Sequence, residues 1–222
     1  MSAAFALVSD AAMAILGGRL KRREKLSGRL ADALAWLYLA SAAVKRFHDE
    51  GRLPQDQPFV EWSCRHALHQ VQAALLGVLD NFPSRLAALA LKAVIFPSGA
   101  RYRPPSDALG ALVARGLLED REERLRITRD VYIPPASEPG LGRLEAALDR
   151  AVEALAVETK IRDAVRAGRI DRAPGDALVE LALAAGVITE EQRRLLSAAD
   201  EAREEAIQVD AFDPAAYRSH AR

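Results

Sequence analysis

The sequence predicts an all-α protein, a helical bundle followed by a smaller C-terminal helical subdomain. Three observations carry this. Ala and Leu dominate a composition with only 5% aromatic residues, and the Val, Ile and Thr clusters that strands use are nearly absent. Apolar residues recur at spacings of three and four along most of the chain. Gly and Pro stop signals separate these stretches. At 222 residues the chain can bury a core without disulfides or metals, as one large or two small helical domains.

The first expected helix, within MSAAFALVSDAAMAILGG, places Phe5, Val8, Ala12 and Ile15 on one side. Ser9 and Asp10 interrupt its apolar run, which reads as far shorter than the roughly 20 residues a bilayer requires. Gly17 and Gly18 can take positive φ at little cost, so they end this helix or hinge it onto the next. A second helix over residues 20–49 carries a stripe of Leu26, Leu30, Leu34, Leu37, Ser41, Val44 and Phe47 and stops before Gly51 and Pro54. A stripe of this kind must face a partner.

Pro58 suits the first turn of a third helix, whose apolar face runs Val60, Cys64, Ala67, Val71, Leu75, Val78 and on to Phe82. Asn81 to Ser84 reads as a break and a capped restart. The next segment, LAALALKAVIF, is apolar almost all round, so burial at the centre of the bundle is expected. Ser106 caps a short helix ended by Gly116. Residues 119–139 are densely charged and then Pro-rich, which marks a connector without a core-forming helix. Residues 140–209 form the accessory subdomain. Its first helix carries Leu141, Leu144, Leu148, Val152 and Leu155 and ends at Gly168; a shorter one lies within 171–186. Thr189 with Gln192 makes a capping-box signature for the last helix, in which Leu195, Ala199, Ala202 and Ala206 share a face. The tail, 210–222, reads as extended.

Charge is balanced, with 31 basic and 31 acidic residues, so no global field favours nucleic acid or membrane, and aromatic residues do not interleave with the basic ones as nucleic-acid binding needs. The single cysteine, Cys64, fits a reducing compartment, with the cytoplasm as the default location. The strongest local charge is the run Arg19, Lys21, Arg22, Arg23 and Lys25, followed by Arg29. Four readings stay open for it: a solvated helix start, contact with another protein domain, contact with a coenzyme phosphate, or contact with anionic lipid on the inner face of the plasma membrane. Arg101, Tyr102 and Arg103, between two proline turns, form an anion clamp, an interface loop or an ordinary exposed loop.

Cys64, His66 and His69 invite a metal reading, but on a helix Cys64 falls on the opposite side from both histidines. Gly140-Leu141-Gly142 has no preceding strand and no third glycine, so it reads as a helix entry rather than a dinucleotide fingerprint. Paired carboxylates such as Glu190/Glu191 and Glu204/Glu205 sit on exposed helix faces. No catalytic, cofactor-binding or metal-ligating residue is assigned.

Four phrases carry a resemblance: LGGRLKRREKLSGRLADALAWLYLASAAVKRFHDEGR, DNFPSRLAALALKAVIFPSGARYRPPSD, the passage from VYIPP to GLGRLEAAL, and QVDAFDPAAY. In this order they resemble the C-terminal helical region of the large bacterial acyl-CoA dehydrogenases of fatty-acid β-oxidation. The resemblance implies that residues 1–118 continue the dehydrogenase helices. It also implies FAD-dependent oxidation of an acyl-CoA to the trans-2-enoyl thioester by the whole enzyme, with the flavin-binding and base-carrying parts upstream. FAD is therefore expected in the full-length enzyme and not on this chain alone. The partners implied are the upstream catalytic domain, a second copy in a homo-oligomer, and a peripheral membrane surface. A free-standing helical adapter that uses the basic run is the alternative.

Overall fold

The computed structural model describes residues 1–138 and 140–209; the tail at 210–222, for which an extended course is expected, lies outside the described residues. Among the described residues the chain is helical and contains no strand. Contacts divide it into two compact units, Met1–Arg115 and Gly116–Arg222.

In the first unit, α1 (Ser2–Leu16) leads through a 3-10 turn (Gly17–Arg22) into α2 (Glu24–Asp49), and α3 (Gln57–Asp80) follows a short link. The α2 and α3 helices form an antiparallel hairpin: Arg29, early in α2, lies against Gly77, late in α3. Their shared core holds Leu26, Ala33, Val71, Leu75 and Val78, and Val8, Ala12 and Leu16 of α1 join the same cluster. Each fully buried Val or Leu contributes about 1.5–3 kcal/mol. The hairpin is therefore the stabilising centre of this unit.

The second helix starts at Glu24 rather than residue 20, because the glycines admit a 3-10 turn before it. Its buried stripe is also rotated from the expected one. Leu26 is buried, but Leu34 is 55% exposed and Ala33 takes its place at 0%. A small side chain lets α3 approach more closely than leucine would. In α1, Leu16 replaces Ile15 in the core. The helical course through Gly17 and Gly18 also makes residues 2–22 a 21-residue segment with an 18-residue window of mean hydropathy 1.4, long and apolar enough by composition to cross a bilayer. That corrects the expectation of a much shorter run, although length and composition alone are weak evidence for a membrane span.

α4 (Arg85–Ile95) begins at a cap in which the Ala87 N–H donates to Ser84 Oγ at 3.3 Å. The expected burial of this helix is overturned. Ala88 is its one buried residue among those described, whereas Leu86 and Val94 are 81% and 70% exposed. α5 (Asp107–Glu119) starts where the Leu109 N–H donates to Ser106 Oγ and runs through Gly116 instead of ending there.

In the second unit, α6 (Arg121–Ile127) occupies the charged connector, capped by Asp120. It is held by ions rather than an apolar core. Arg124, 5% exposed, reaches Asp149 at 2.7 Å and the Leu117 carbonyl at 3.2 Å, with Glu145 at 3.4 Å. α7 (Leu141–Arg166), α8 (Asp176–Ala184) and α9 (Glu190–Ile207) form the core of this unit around Ala154, Val157, Ile161, Leu196 and Ala199. Here too the stripe is rotated: Leu144 is 51% exposed while Ala154 is fully buried. The capping box at Thr189 and Gln192 is present as expected.

Gly140, with φ 93°, enters α7, and Gly142 follows against the Pro-rich connector. A Cβ at Gly142 would lie 2.3 Å from the carbonyl oxygens of Pro134 and Pro135. Backbone atoms cannot swing aside as side chains do. Gly142→Ala should therefore lower stability by about 2 kcal/mol or more. Gly18→Ala, where no atom lies within 4 Å, should be neutral or stabilising by about 0.5–1 kcal/mol. Urea unfolding of both variants checks the contrast.

Candidate functional site

The basic run becomes a cleft because of the turn that precedes α2. Gly17, with φ 50°, ends α1, and the 3-10 turn then aligns residues three apart. Arg23 stands at the N-cap with φ −100° and ψ 62°, and no side chain caps the helix. Arg22, Arg23, Lys25 and Arg29 line a depression of about 410 Å³ together with Glu24, Leu26 and Asn81. Asn81 comes from the end of α3, where its amide donates to the Gly77 carbonyl at 2.8 Å. Arg29 lies over Gly77, its Cδ and Nε 2.9 Å from where a Cβ would stand, and donates to the Lys25 carbonyl at 3.4 Å.

The cleft therefore presents four cations against one carboxylate. None of Arg19, Lys21, Arg22, Arg23 and Lys25 forms an ion pair among the described residues. Basic side chains at a helix N-terminus oppose its dipole by roughly 0.3–1 kcal/mol each at the surface, so an oxyanion here would relieve two repulsions together. Arg19 and Lys21 do not line the depression; Arg19 donates back to the Ile15 carbonyl at 3.4 Å. The cleft can hold an anion. It contains no nucleophile with an adjacent base.

Arg101, Tyr102 and Arg103 lie apart from it. Their loop is pinned by Gln72, a buried residue of α3. The Tyr102 N–H donates to Gln72 Oε1 and Gln72 Nε2 donates to the Tyr102 carbonyl, both at 3.0 Å. One side-chain amide thus pairs with a backbone unit as a neighbouring strand would. Since a carbonyl only accepts, the His69 ring nitrogen Nδ1, 2.9 Å from the same oxygen, carries the proton. Arg101 and Arg103 remain exposed on either side of this anchor.

His66 stacks on Trp62 with ring centroids 5.0 Å apart and 5° between planes, and meets Trp36 edge-on at 5.0 Å. The two histidines thus hold separate structural contacts. Burial pushes the Cys64 thiol above its usual range, which disfavours the thiolate a metal would need. Among the described residues no group of three or more His, Cys, Asp or Glu is placed to hold a metal ion. A flavin does not fit the basic cleft either, where Leu26 is the one apolar side chain to face a tricyclic ring.

The Gln72 anchor is testable. Gln72→Leu keeps the volume but removes both amide bonds, so urea unfolding should show a loss of about 1–2 kcal/mol. The Tyr102 amide should exchange with solvent faster in that variant.

Comparison with known proteins brings these features under one description. A search of solved structures finds no match. The family model for the acyl-CoA dehydrogenase C-terminal region of bacterial type matches residues 1–212. It spans both helical units, the basic cleft and the Gln72-anchored loop, and the chain belongs to the bacterial-type acyl-CoA dehydrogenase C-terminal family.

Proposed function

We propose that this chain is the helical accessory part of a FAD-dependent acyl-CoA dehydrogenase of fatty-acid β-oxidation, and that it supports assembly rather than carrying the chemistry. The observation that carries this reading is the free face of α4. Leu86, Leu89, Ala90, Ala93 and Val94 are all exposed on it, and no charged residue interrupts them. The opposite side, through Ala88, Leu91 and Ile95, already packs on the hairpin. A helix with two apolar faces needs two partners.

α2 repeats the pattern. Its outward Leu34, Tyr38 and Leu39 are 55%, 73% and 52% exposed, and no charge occurs between Asp32 and Lys45. In the whole enzyme, FAD would supply the oxidation chemistry and a carboxylate would take the α-proton of the acyl thioester. Both groups belong to the upstream part in this reading. The apolar faces of α2 and α4 give that part, or a second copy, a surface to cover.

A second reading is favoured by the basic cleft, whose unpaired cations suit anionic lipid headgroups, each contributing about 1 kcal/mol near such a surface. Co-sedimentation with phosphatidylglycerol vesicles, lost when Arg22, Arg23 and Lys25 are changed to Glu, would support membrane docking. Failure to bind such vesicles at low salt would remove it.

For the principal reading, the isolated chain should self-associate at micromolar concentration and bind a dye that reports exposed apolar surface. Leu86→Glu with Leu89→Glu replaces side chains that are 81% and 68% exposed, so helicity should hold while association falls at least tenfold. Added upstream catalytic domain should compete with the dye for the native chain and not for the variant. A monodisperse monomer that binds neither dye nor catalytic domain would overturn the assignment.

A further inference from the structure

The second unit carries a groove of about 690 Å³ bounded by α7, the loop after it, α8 and α9. That volume falls within the range of small-molecule sites, roughly 300–1,000 Å³. Its apolar lining comes from Ile161, Val165, Leu178, Val179 and Leu196. These side chains belong to the core of the unit or pack on it, so the groove is a place where that core meets solvent. Along α7 the lining runs from Glu158 to Arg166, which is about 12 Å of helix at 1.5 Å per residue. The apolar part of the lining is aliphatic.

The edge of the groove is cationic. Arg162, Arg166, Arg172 and Arg203 line it against two carboxylates, Glu158 and Asp200. Both carboxylates are taken: Arg203 reaches Glu158 at 3.2 Å and Asp200 at 2.6 Å. Arg166 stands 3.6 Å from Asp163. Arg162 and Arg172 form no ion pair among the described residues. Two free guanidinium groups therefore border an aliphatic trough.

We infer that this groove binds a soluble single-chain anionic amphiphile, with its alkyl chain on Ile161, Val165, Leu178 and Val179 and its oxyanion head held by Arg162 and Arg172. Guanidinium forks match a carboxylate or phosphate head through paired charge-assisted hydrogen bonds. The aliphatic wall selects a chain rather than a flat ring. The site lies wholly within the second unit, so it stands whether or not α4 docks on a catalytic domain.

The test is titration of the full chain with decanoate below its micelle concentration, followed by calorimetry and by backbone amide shifts. Saturable binding should move amides of residues 158–179, and decan-1-ol should bind at least tenfold more weakly. Arg162→Glu with Arg172→Glu alters two exposed side chains, so circular dichroism should be unchanged while decanoate affinity falls about tenfold to a hundredfold. Val165→Ala should weaken decanoate and decanol alike. Equal binding of decanol and decanoate, shifts confined to the first unit, or binding to anionic vesicles with none to monomeric decanoate would each overturn the proposal.

Discussion

The close approach of α2 and α3 governs the first unit. Ala33, fully buried where a leucine stripe would predict Leu34, removes the bulk that would hold the helices apart. The consequences extend along the hairpin. Near one end Arg29 is laid across Gly77 and forms one wall of the basic cleft. Further along, Trp36, His66 and Trp62 interleave across the same interface. On α3 Gln72 is sealed from solvent with its amide committed to the Tyr102 backbone. The cleft, the aromatic stack and the anchored loop all hang on one well-packed pair of helices.

Helices and their caps were legible in the sequence, as was the buried face of α3 through Ala67, Val71, Leu75 and Val78, but the faces of α2 and α7 were not. Ser84, Ser106 and Thr189 cap helices as their positions suggest, because a cap is a local event between residues three apart. A face is a tertiary event. In an Ala- and Leu-rich helix the usual cue, a charged side that must stay wet, is missing. Packing then chose Ala33 over Leu34 and Leu16 over Ile15 for the buried positions. The α4 expectation failed for a further reason: an all-round apolar helix implies burial only if its partners are present, and here one side has none among the described residues.

The candidate site was legible as a composition but not as a place. The basic run is visible in the sequence, and its one acidic neighbour, Glu24, forms no ion pair with it among the described residues. Asn81 could not be found, since it reaches the cleft only when the hairpin closes. Arg124 was hidden by its surroundings, because a charged, Pro-rich stretch looks like a solvated connector. A guanidinium with carboxylates one helical turn apart on α7 can be buried there, as Glu145 and Asp149 show. The two units also differ in kind. The first has apolar helix faces in surplus, while the second closes a small alanine-rich core beneath a heavily charged exterior.

The contact of Gly142 with the Pro134 and Pro135 carbonyls gives the connector a fixed length. A tether can be lengthened freely, because loop entropy grows only slowly with added residues. A clasp cannot: one residue inserted between 135 and 142 would carry the prolines off the bare Cα and place a side chain where a carbonyl now sits. Inserted tags, cleavage sites or circular breaks would therefore be tolerated unevenly along this chain. The exposed turn at 97–100 has the slack to accept them, and the clasp before α7 does not.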